Sequence, residues 1–142
     1  MKYVLTDTCY WLGLVDSSDE HHEKSIEIQN KIKNNLIIFP FPCFYEIIRT
    51  RFVKNKHRLT AFENLLKNSN IEYLDDTKYK DEALLKVYEL NKMQGVTHSL
   101  TDAVLREMLS DDSVRIDSLV TYNVKDFYDV CGKRKIEIIH EP

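Results

Sequence analysis

Residues 3–7 read YVLTD, a short apolar run that ends in an acid. Similar runs follow at residues 36–39, 71–74 and 118–121, with a weaker fifth run at 136–139. The segments between these runs carry apolar residues at helical spacing. Strands that alternate with helices are typical of an α/β fold with a mainly parallel sheet. We therefore predict a central, mainly parallel five-stranded sheet that is flanked by helices.

The apolar spacing also predicts which helix faces point inward. One continuous helix is expected to present four apolar residues on a single face, namely Phe44, Ile47, Ile48 and Phe52. The sequence DDT at residues 75–77 is expected to cap the start of a later helix. Other helix residues that we expect to face the core include Ile26, Ile32, Leu84, Val87 and either Leu90 or Asn91.

Length and composition fit one domain over residues 1–142, because 43% apolar and 30% charged residues are typical of a soluble globular protein. No apolar run approaches the ~20 residues that span a bilayer, and the amino terminus lacks the pattern of a secretory signal. The three cysteines, Cys9, Cys43 and Cys131, form no CxxC pair, which favours a reducing compartment. We therefore expect a cytoplasmic protein that does not associate with membranes.

Charge is unevenly distributed along the chain. The net charge of −3 excludes a polycation that coats nucleic acid by charge alone. A basic segment over residues 49–58 nevertheless contains no acid. It fits a phosphate backbone or an acidic partner, and it fits a solvated helix face equally well. The candidate contacts for RNA or a protein partner in this segment are Arg49, Arg51 and Lys54.

Three acids stand out by position. Asp7 ends the first strand, Glu46 is flanked by large apolar residues, and Asp102 follows a capping serine, Ser99, by three residues. Taken singly, each has a structural explanation: a helix cap for Asp7, an exposed helix position for Glu46 and a favourable helix-dipole contact for Asp102. Together they suggest a crevice at the carboxyl ends of the strands. Carboxylates gathered there would need a divalent cation, and oxygen ligands select Mg²⁺ or Mn²⁺.

Four segments in order resemble the motifs of PIN-domain nucleases, most of all the VapC-type toxins of toxin–antitoxin pairs. The segments are VLTDTC at residues 4–9, FYEI at 44–47, SLTDA at 99–103 and VTYNVKDF at 120–127. The resemblance implies a Rossmann-like PIN domain that cleaves single-stranded RNA with Mg²⁺ or Mn²⁺. It also implies a homodimer and an antitoxin protein as partners.

Carried over residue by residue, the resemblance places Asp7, Glu46 and Asp102 on the first three acidic positions of the family. The fourth position holds Asn123, an uncharged ligand, and Asp126 is the candidate substitute three residues later. The implied chemistry is metal-assisted hydrolysis of a phosphodiester, with Asp7 and Asp102 as ligands and Glu46 as a ligand or an anchor for water. Hydroxyl groups that could orient these carboxylates are expected at Thr8, Thr101 and Thr121.

Several other functions remain to be weighed against a nuclease. A haloacid-dehalogenase-type phosphatase needs a second acid two residues after Asp7, where this chain has Cys9, and a response-regulator receiver needs paired acids where Asp7 stands alone. Cys9 as a nucleophile lacks a histidine with a sequence-evident role in activating it. A PIN-like scaffold that binds RNA or protein without cutting is favoured by Asn123. A PIN nuclease of RNA processing or defence, without an antitoxin, is the remaining alternative.

Overall fold

The computed structural model describes residues 1–142, apart from the side chain of Asn68. All five strands lie in one sheet with the order β3-β2-β1-β4-β5, and every neighbouring pair is parallel. This confirms the predicted α/β fold with its parallel five-stranded sheet. The strands are Tyr3–Thr6 (β1), Leu36–Pro40 (β2), Ile71–Leu74 (β3), Ser118–Val120 (β4) and Glu137–Ile139 (β5).

Eight helices connect and flank the strands in the described part of the chain. Asp7 caps the first of them, which begins one residue after it. The helices are Thr8–Val15 (α1), His22–Ile32 (α2), Pro42–Ile47 (α3), Thr50–Val53 (α4), Lys56–Asn68 (α5), Lys80–Lys92 (α6), Leu100–Leu109 (α7) and Val124–Arg134 (α8).

The strand order reverses beside β1, and this positions the functional residues. The chain runs outward from β1 through β2 to β3, and later returns to place β4 on the other side of β1. Thr6 pairs with Val120 at the carboxyl ends of β1 and β4, and the Asp7 amide donates to the Val120 carbonyl (3.0 Å). Ligands of open α/β sheets bind in the crevice at such a reversal point.

Helix α7 is fixed because it is buried on two sides. Leu105 belongs to the main hydrophobic core, together with sheet residues such as Leu5. Met108 belongs to a second cluster, in which α7 packs against Ala83 of α6. Asp102, in the first turn of α7, is thereby held at a defined place beside the sheet edge.

The predicted continuous helix with Phe44 and Phe52 on one face is wrong. The chain leaves the helix at Ile48 and is extended at Arg49 before α4 begins, so that Ile48 is 43% exposed although Ile47 and Phe52 are buried. Two successive β-branched isoleucines weaken the helix at this point. The break allows the Phe52 ring to pack against Phe62 (5.9 Å between ring centroids).

Two predicted core positions are also wrong. Ile26 and Leu84 are exposed, and the buried residues are their smaller neighbours Ser25 and Ala83. Small side chains at these positions allow a helix to approach its neighbour closely, and the apolar spacing does not reveal such a choice. Helix α6 begins at Lys80, a few residues after the predicted DDT cap.

Two further predictions concern membrane-spanning helices and disulfide bonds. None of the helices within this part of the chain has both the length and the apolar character that a membrane crossing requires. Cys43 and Cys131 are buried, Cys9 is half-buried, and all three are free thiols.

Candidate metal centre at the carboxyl edge of the sheet

Asp7 lies at the centre of the edge where β1 and β4 end. Its side chain is buried (3% exposed), and each of its oxygens accepts a hydrogen bond. Oδ1 accepts from the Thr8 amide (2.7 Å), as an N-cap does, and Oδ2 accepts from the Thr121 hydroxyl (2.8 Å). A carboxylate oxygen has two lone-pair sites, so both oxygens retain capacity for a further ligand. The capping role and a ligand role are therefore compatible.

The surroundings of Asp7 disfavour its charged form. Burial raises the pKa of Asp7 to about 6, and the negative charges of Asp102 and Glu46 act in the same direction. The hydrogen bonds from Thr121 and Thr8 only partly counteract this effect. A buried acid with acidic neighbours is the local environment that a bound cation would relieve.

Glu46 points toward the same edge. Its Oε1 accepts a short hydrogen bond from the Thr8 hydroxyl (2.6 Å), so α3 and α1 together hold the carboxylate. Partial burial raises the pKa of Glu46, and the charge of Asp102 raises it further, whereas the guanidinium of Arg49 lowers it. Glu46 is therefore neither in open solvent nor remote from the other acids.

Asp102 connects two halves of the site. Its Oδ2 accepts from the Ser99 amide and its own amide donates to the Ser99 hydroxyl (both 3.0 Å), which is the predicted cap at the start of α7. Its negative charge raises the pKa of Asp7, Glu46 and Asp126 alike. Asp102 thus lies within electrostatic reach of all three.

Asp126 enters the site from the first turn of α8. Burial is the main cause that raises the pKa of Asp126, and the charge of Asp102 adds to it. Arg106 on α7 donates to the backbone carbonyl of Asp126 (2.8 Å) and forms two hydrogen bonds to Asp129 (both 2.7 Å). This guanidinium therefore ties the start of α8 to α7 and keeps Asp126 next to Asp102.

The tightest group of metal-binding side chains includes a residue that the sequence analysis missed. His98, Asp102 and Asp126 each offer one ligand atom, and these atoms lie within 4.8 Å of one another. His98 lies in the loop before α7, outside any regular apolar pattern. The only sequence signal for it was its position four residues before Asp102.

The remaining predicted positions differ in how they relate to this group. Thr8 and Thr121 bind Glu46 and Asp7 as described above. Thr101 is half-buried in the first turn of α7. Asn123 is the exposed N-cap residue of α8, and its backbone amide donates to the Thr121 hydroxyl (3.1 Å). The side chains of Thr101 and Asn123 make no hydrogen bond to the acids within the described residues.

Cys9 is beside Asp7 but has the wrong chemistry for a nucleophile. Burial, together with the charge of Asp7, raises the pKa of the Cys9 thiol to about 12. The thiol donates weakly to Asp7 Oδ2 (3.6 Å) and accepts from the Tyr122 amide (3.4 Å). A thiol that stays protonated is a poor nucleophile.

The basic segment lies next to the acids. Arg49, Arg51 and Lys54 are exposed, and Arg49 is close enough to Glu46 to lower its pKa. Arg58 at the end of the segment pairs with Asp16 (3.7 Å). The segment is thus partly a solvated surface, and the part around Arg49 borders the acidic group.

The residues at this edge fit a divalent cation. Asp102 acts electrostatically on three other carboxyl groups, and burial together with this repulsion raises the pKa values of Asp7, Glu46 and Asp126. The nearby His98 Nδ1 is buried and has no hydrogen-bond partner among the described residues. Mg²⁺ would bind the carboxylate oxygens of this set but not readily the imidazole nitrogen, whereas Mn²⁺ would bind both kinds of donor.

The raised pKa of Asp7 predicts how the stability of the metal-free protein depends on pH. The folded state holds the Asp7 proton up to about pH 6, whereas an ordinary aspartate has a pKa of 3.8. The free energy of unfolding should therefore fall as pH rises between these values, and the penalty persists at neutral pH. Asp7→Asn removes it, so we expect the variant to be more stable than the wild type at neutral pH, by on the order of 2 kcal/mol.

Urea denaturation in the presence of a chelator measures this difference. The gain should disappear below the ordinary carboxyl pKa, where Asp7 is protonated in both states. Asp81→Asn is the matched control, because Asp81 is exposed in the first turn of α6. Equal destabilisation by Asp7→Asn at every pH would show that the carboxylate carries no such penalty.

No family model and no curated protein sequence matches the chain. Solved structures do match its fold. The VapC20 toxin of Mycobacterium tuberculosis, described as cleaving the sarcin–ricin loop, aligns with a TM-score of 0.64 at 10% identity over 89% of this chain and 94% of that one. DNA-bound VapBC from Salmonella typhimurium aligns with a TM-score of 0.61 at 16% identity over 98% of both chains. VapBC2 from Rickettsia felis, bound to a promoter DNA fragment, gives 0.58 at 14% identity over 96% and 97%. This chain therefore has the PIN-domain fold of the VapC-type toxins.

Proposed function

We propose that this chain is a VapC-like nuclease that cleaves single-stranded RNA with Mg²⁺ or Mn²⁺, as the toxin of a toxin–antitoxin pair. The observation that carries the proposal is the gathering of Asp7, Glu46, Asp102 and Asp126 at one edge of the sheet, where burial and the negative charge of Asp102 raise the pKa values of the other three. A structural role for each acid alone does not explain why four of them meet. The shared fold with VapC-type toxins supports the same conclusion.

Asp7, Asp102 and Asp126 are the residues that would hold the cation, with Glu46 at the border of the group. When bound, the cation would stabilise negative charge on the scissile phosphate and lower the pKa of water. The chain itself supplies rigid carboxylates. Thr8 and Thr121 fix the carboxylates of Glu46 and Asp7 from the start of α1 and from the end of β4. Such fixed positions reduce the reorganisation that catalysis would otherwise require.

Glu46 is the candidate for positioning water and accepting a proton. Its Oε1 is occupied by the Thr8 hydroxyl, which leaves Oε2 for another hydrogen bond. A raised pKa makes Glu46 a stronger base than an ordinary glutamate. Arg49 beside it could bind the phosphate of the substrate. The residue that positions the attacking water and the residue that binds the phosphate would then be adjacent.

The identity of the substrate and the partners is supported by the setting of the site. Arg49 borders the acids, and Arg51 and Lys54 are exposed in the same segment, which suits a polyanion that must approach a negatively charged centre. The Mycobacterium tuberculosis neighbour is named as a sarcin–ricin loop cleaving toxin, and the other two are named as DNA-bound VapBC. On this basis we propose an antitoxin partner for this chain in the cytoplasm, and a homodimer as the working assembly.

An RNA cleavage assay tests the catalytic proposal. Purified wild-type protein should degrade single-stranded RNA when Mg²⁺ or Mn²⁺ is added and should be inactive with a chelator. Asp7→Asn and Asp102→Asn should each lower the rate by at least about 100-fold, because each removes a charge that holds the cation. Glu46→Gln should lower kcat with a smaller effect on KM, because its proposed task is in the reaction step.

Asp81→Asn is the matched control and should cleave at the wild-type rate. Retention of activity by Asp7→Asn would contradict the proposed centre. If the wild type does not cleave RNA with any divalent ion, the chain is the non-cutting scaffold that the uncharged Asn123 favours. Cleavage without a neighbouring antitoxin gene would instead place the nuclease in RNA processing or defence.

The basic segment makes a separate prediction about binding. The double variant Arg49→Gln/Arg51→Gln should weaken binding of single-stranded RNA, measured by fluorescence anisotropy without divalent ions. Binding should also depend less steeply on salt, because each lost phosphate contact reduces the magnitude of the slope of log K against log salt by roughly 0.7 for a single strand.

The matched control is Lys31→Gln/Lys33→Gln, which removes the same charge. Both lysines are exposed around the end of α2, at the opposite edge of the sheet from the acids. This control should bind RNA nearly as the wild type does. Equal effects of the two double variants would mean that net charge alone matters, and the assignment of the segment would be wrong.

A further inference from the structure

His98 lies in the loop between α6 and α7, and its ring faces the acids of the candidate centre. Its side chain is 8% exposed, and its Nδ1 lies 3.7 Å from Asp126 Oδ1. His98, Asp102 and Asp126 each offer one ligand atom, and these three atoms lie within 4.8 Å of one another. The imidazole therefore closes one side of the acidic group.

The Nδ1 atom lacks a partner in this position. It is buried and forms no hydrogen bond within the described residues, since 3.7 Å to Asp126 exceeds hydrogen-bond length. A buried polar atom without a partner is costly, and most such atoms in proteins are satisfied. Here the unpartnered nitrogen lies beside the Asp126 carboxylate, in a side chain that is grouped with Asp102 as well, which points to a cation among the three residues.

The backbone of His98 is held in place from α6. The His98 amide donates to Asn91 Oδ1 (2.7 Å), and the His98 carbonyl accepts from Asn91 Nδ2 (2.8 Å). The same Asn91 amide group also donates to the Val87 carbonyl within α6 (2.8 Å). This clamp fixes a loop residue with the precision of a helix, which a metal ligand requires.

We propose that His98 Nδ1 is a direct ligand of the divalent ion, together with Asp102 and Asp126, and that it makes the centre prefer Mn²⁺ to Mg²⁺. The inference rests on the proposed function for the presence of an ion at this edge. It adds a nitrogen ligand that the four acidic motif positions do not include. It also explains how a site with an uncharged, exposed Asn123 completes its set of ligands.

The preference follows from the type of donor. Mg²⁺ is a hard ion that takes oxygen ligands and gives up its water molecules reluctantly. Imidazole nitrogen suits transition ions better than it suits Mg²⁺, and Mn²⁺ is a transition ion that takes carboxylate oxygen as Mg²⁺ does. Two carboxylates with one imidazole therefore gain more from Mn²⁺ than from Mg²⁺.

The test is the electron paramagnetic resonance of Mn²⁺ added alone to the metal-free, full-length protein. Electron spin echo modulation of the bound ion should reveal one directly coordinated ¹⁴N nucleus in the wild type. His98→Asn should abolish this signal and weaken Mn²⁺ affinity by about tenfold or more. Mg²⁺ affinity, measured by competition, should change little, because the asparagine carbonyl places an oxygen donor near the former Nδ1.

The outcomes separate this inference from the proposed function. Bound Mn²⁺ without a nitrogen signal in the wild type overturns the role of His98 and leaves a carboxylate centre intact. A wild-type protein that binds no Mn²⁺ overturns the inference together with the metal centre. A nitrogen signal in a protein that cleaves no RNA supports the inference and contradicts the proposed nuclease function. The wild-type signal decides the matter even if His98→Asn does not fold.

His140→Asn is the matched control. His140 is half exposed near the end of the chain and pairs only loosely with Glu141 (3.9 Å). This variant should keep both the nitrogen signal and the preference for Mn²⁺. Loss of the signal in His140→Asn, with retention in His98→Asn, would show that His140 supplies the coordinated nitrogen and would overturn the inference.

Discussion

The hydrogen bond from Thr121 to Asp7 joins residues that are 114 positions apart in the sequence. It can form only because β4 returns to the side of β1, so that both strands end at one edge. The other site residues depend on the same edge: Thr8 begins the helix that Asp7 caps, and it holds Glu46. Helix α7, wedged between the sheet and α6, adds Asp102. The parallel sheet is therefore the frame that gathers acids which would otherwise repel.

Gathering these acids has an energetic cost that the fold must offset. Burial and the negative charge of Asp102 raise the pKa values of Asp7, Glu46 and Asp126. Hydrogen bonds from the Thr8 and Thr121 groups offset part of this cost, and the packing of large apolar side chains offsets the rest. Residues that destabilise a fold yet persist together at one crevice are typical of functional sites. The bidentate pair of Arg106 with Asp129 shows the contrast, because it satisfies its charges fully and has a structural task.

The sequence was sufficient for those features that depend on local patterns. Apolar runs predicted the five strands, and the acid after the first strand predicted the edge where Asp7 lies. The spacing from Ser99 to Asp102 predicted the cap of α7, which the two reciprocal hydrogen bonds confirm. The roles assigned to the acids, in contrast, stay a prediction until chemistry is measured.

Features that depend on tertiary contacts were beyond the sequence. The break at Ile48 allows Phe52 to pack on α5, and the burial of Ala83 in place of Leu84 arises because α6 lies close to α7. His98 is in an irregular loop, and its orientation depends on the amide of Asn91. None of these contacts leaves a periodic signal in the sequence. Asn123, conversely, occupies a motif position but is exposed in the folded chain.

The central claim is that one divalent ion is bound where these acids meet. Anomalous diffraction at the manganese absorption edge, from crystals grown with Mn²⁺, tests it most directly. We expect one strong peak at the carboxyl edge of the sheet, bordered by Asp7, Asp102 and Asp126. Mn²⁺ peaks at other surfaces of the protein, with none among these three carboxylates, would contradict the account.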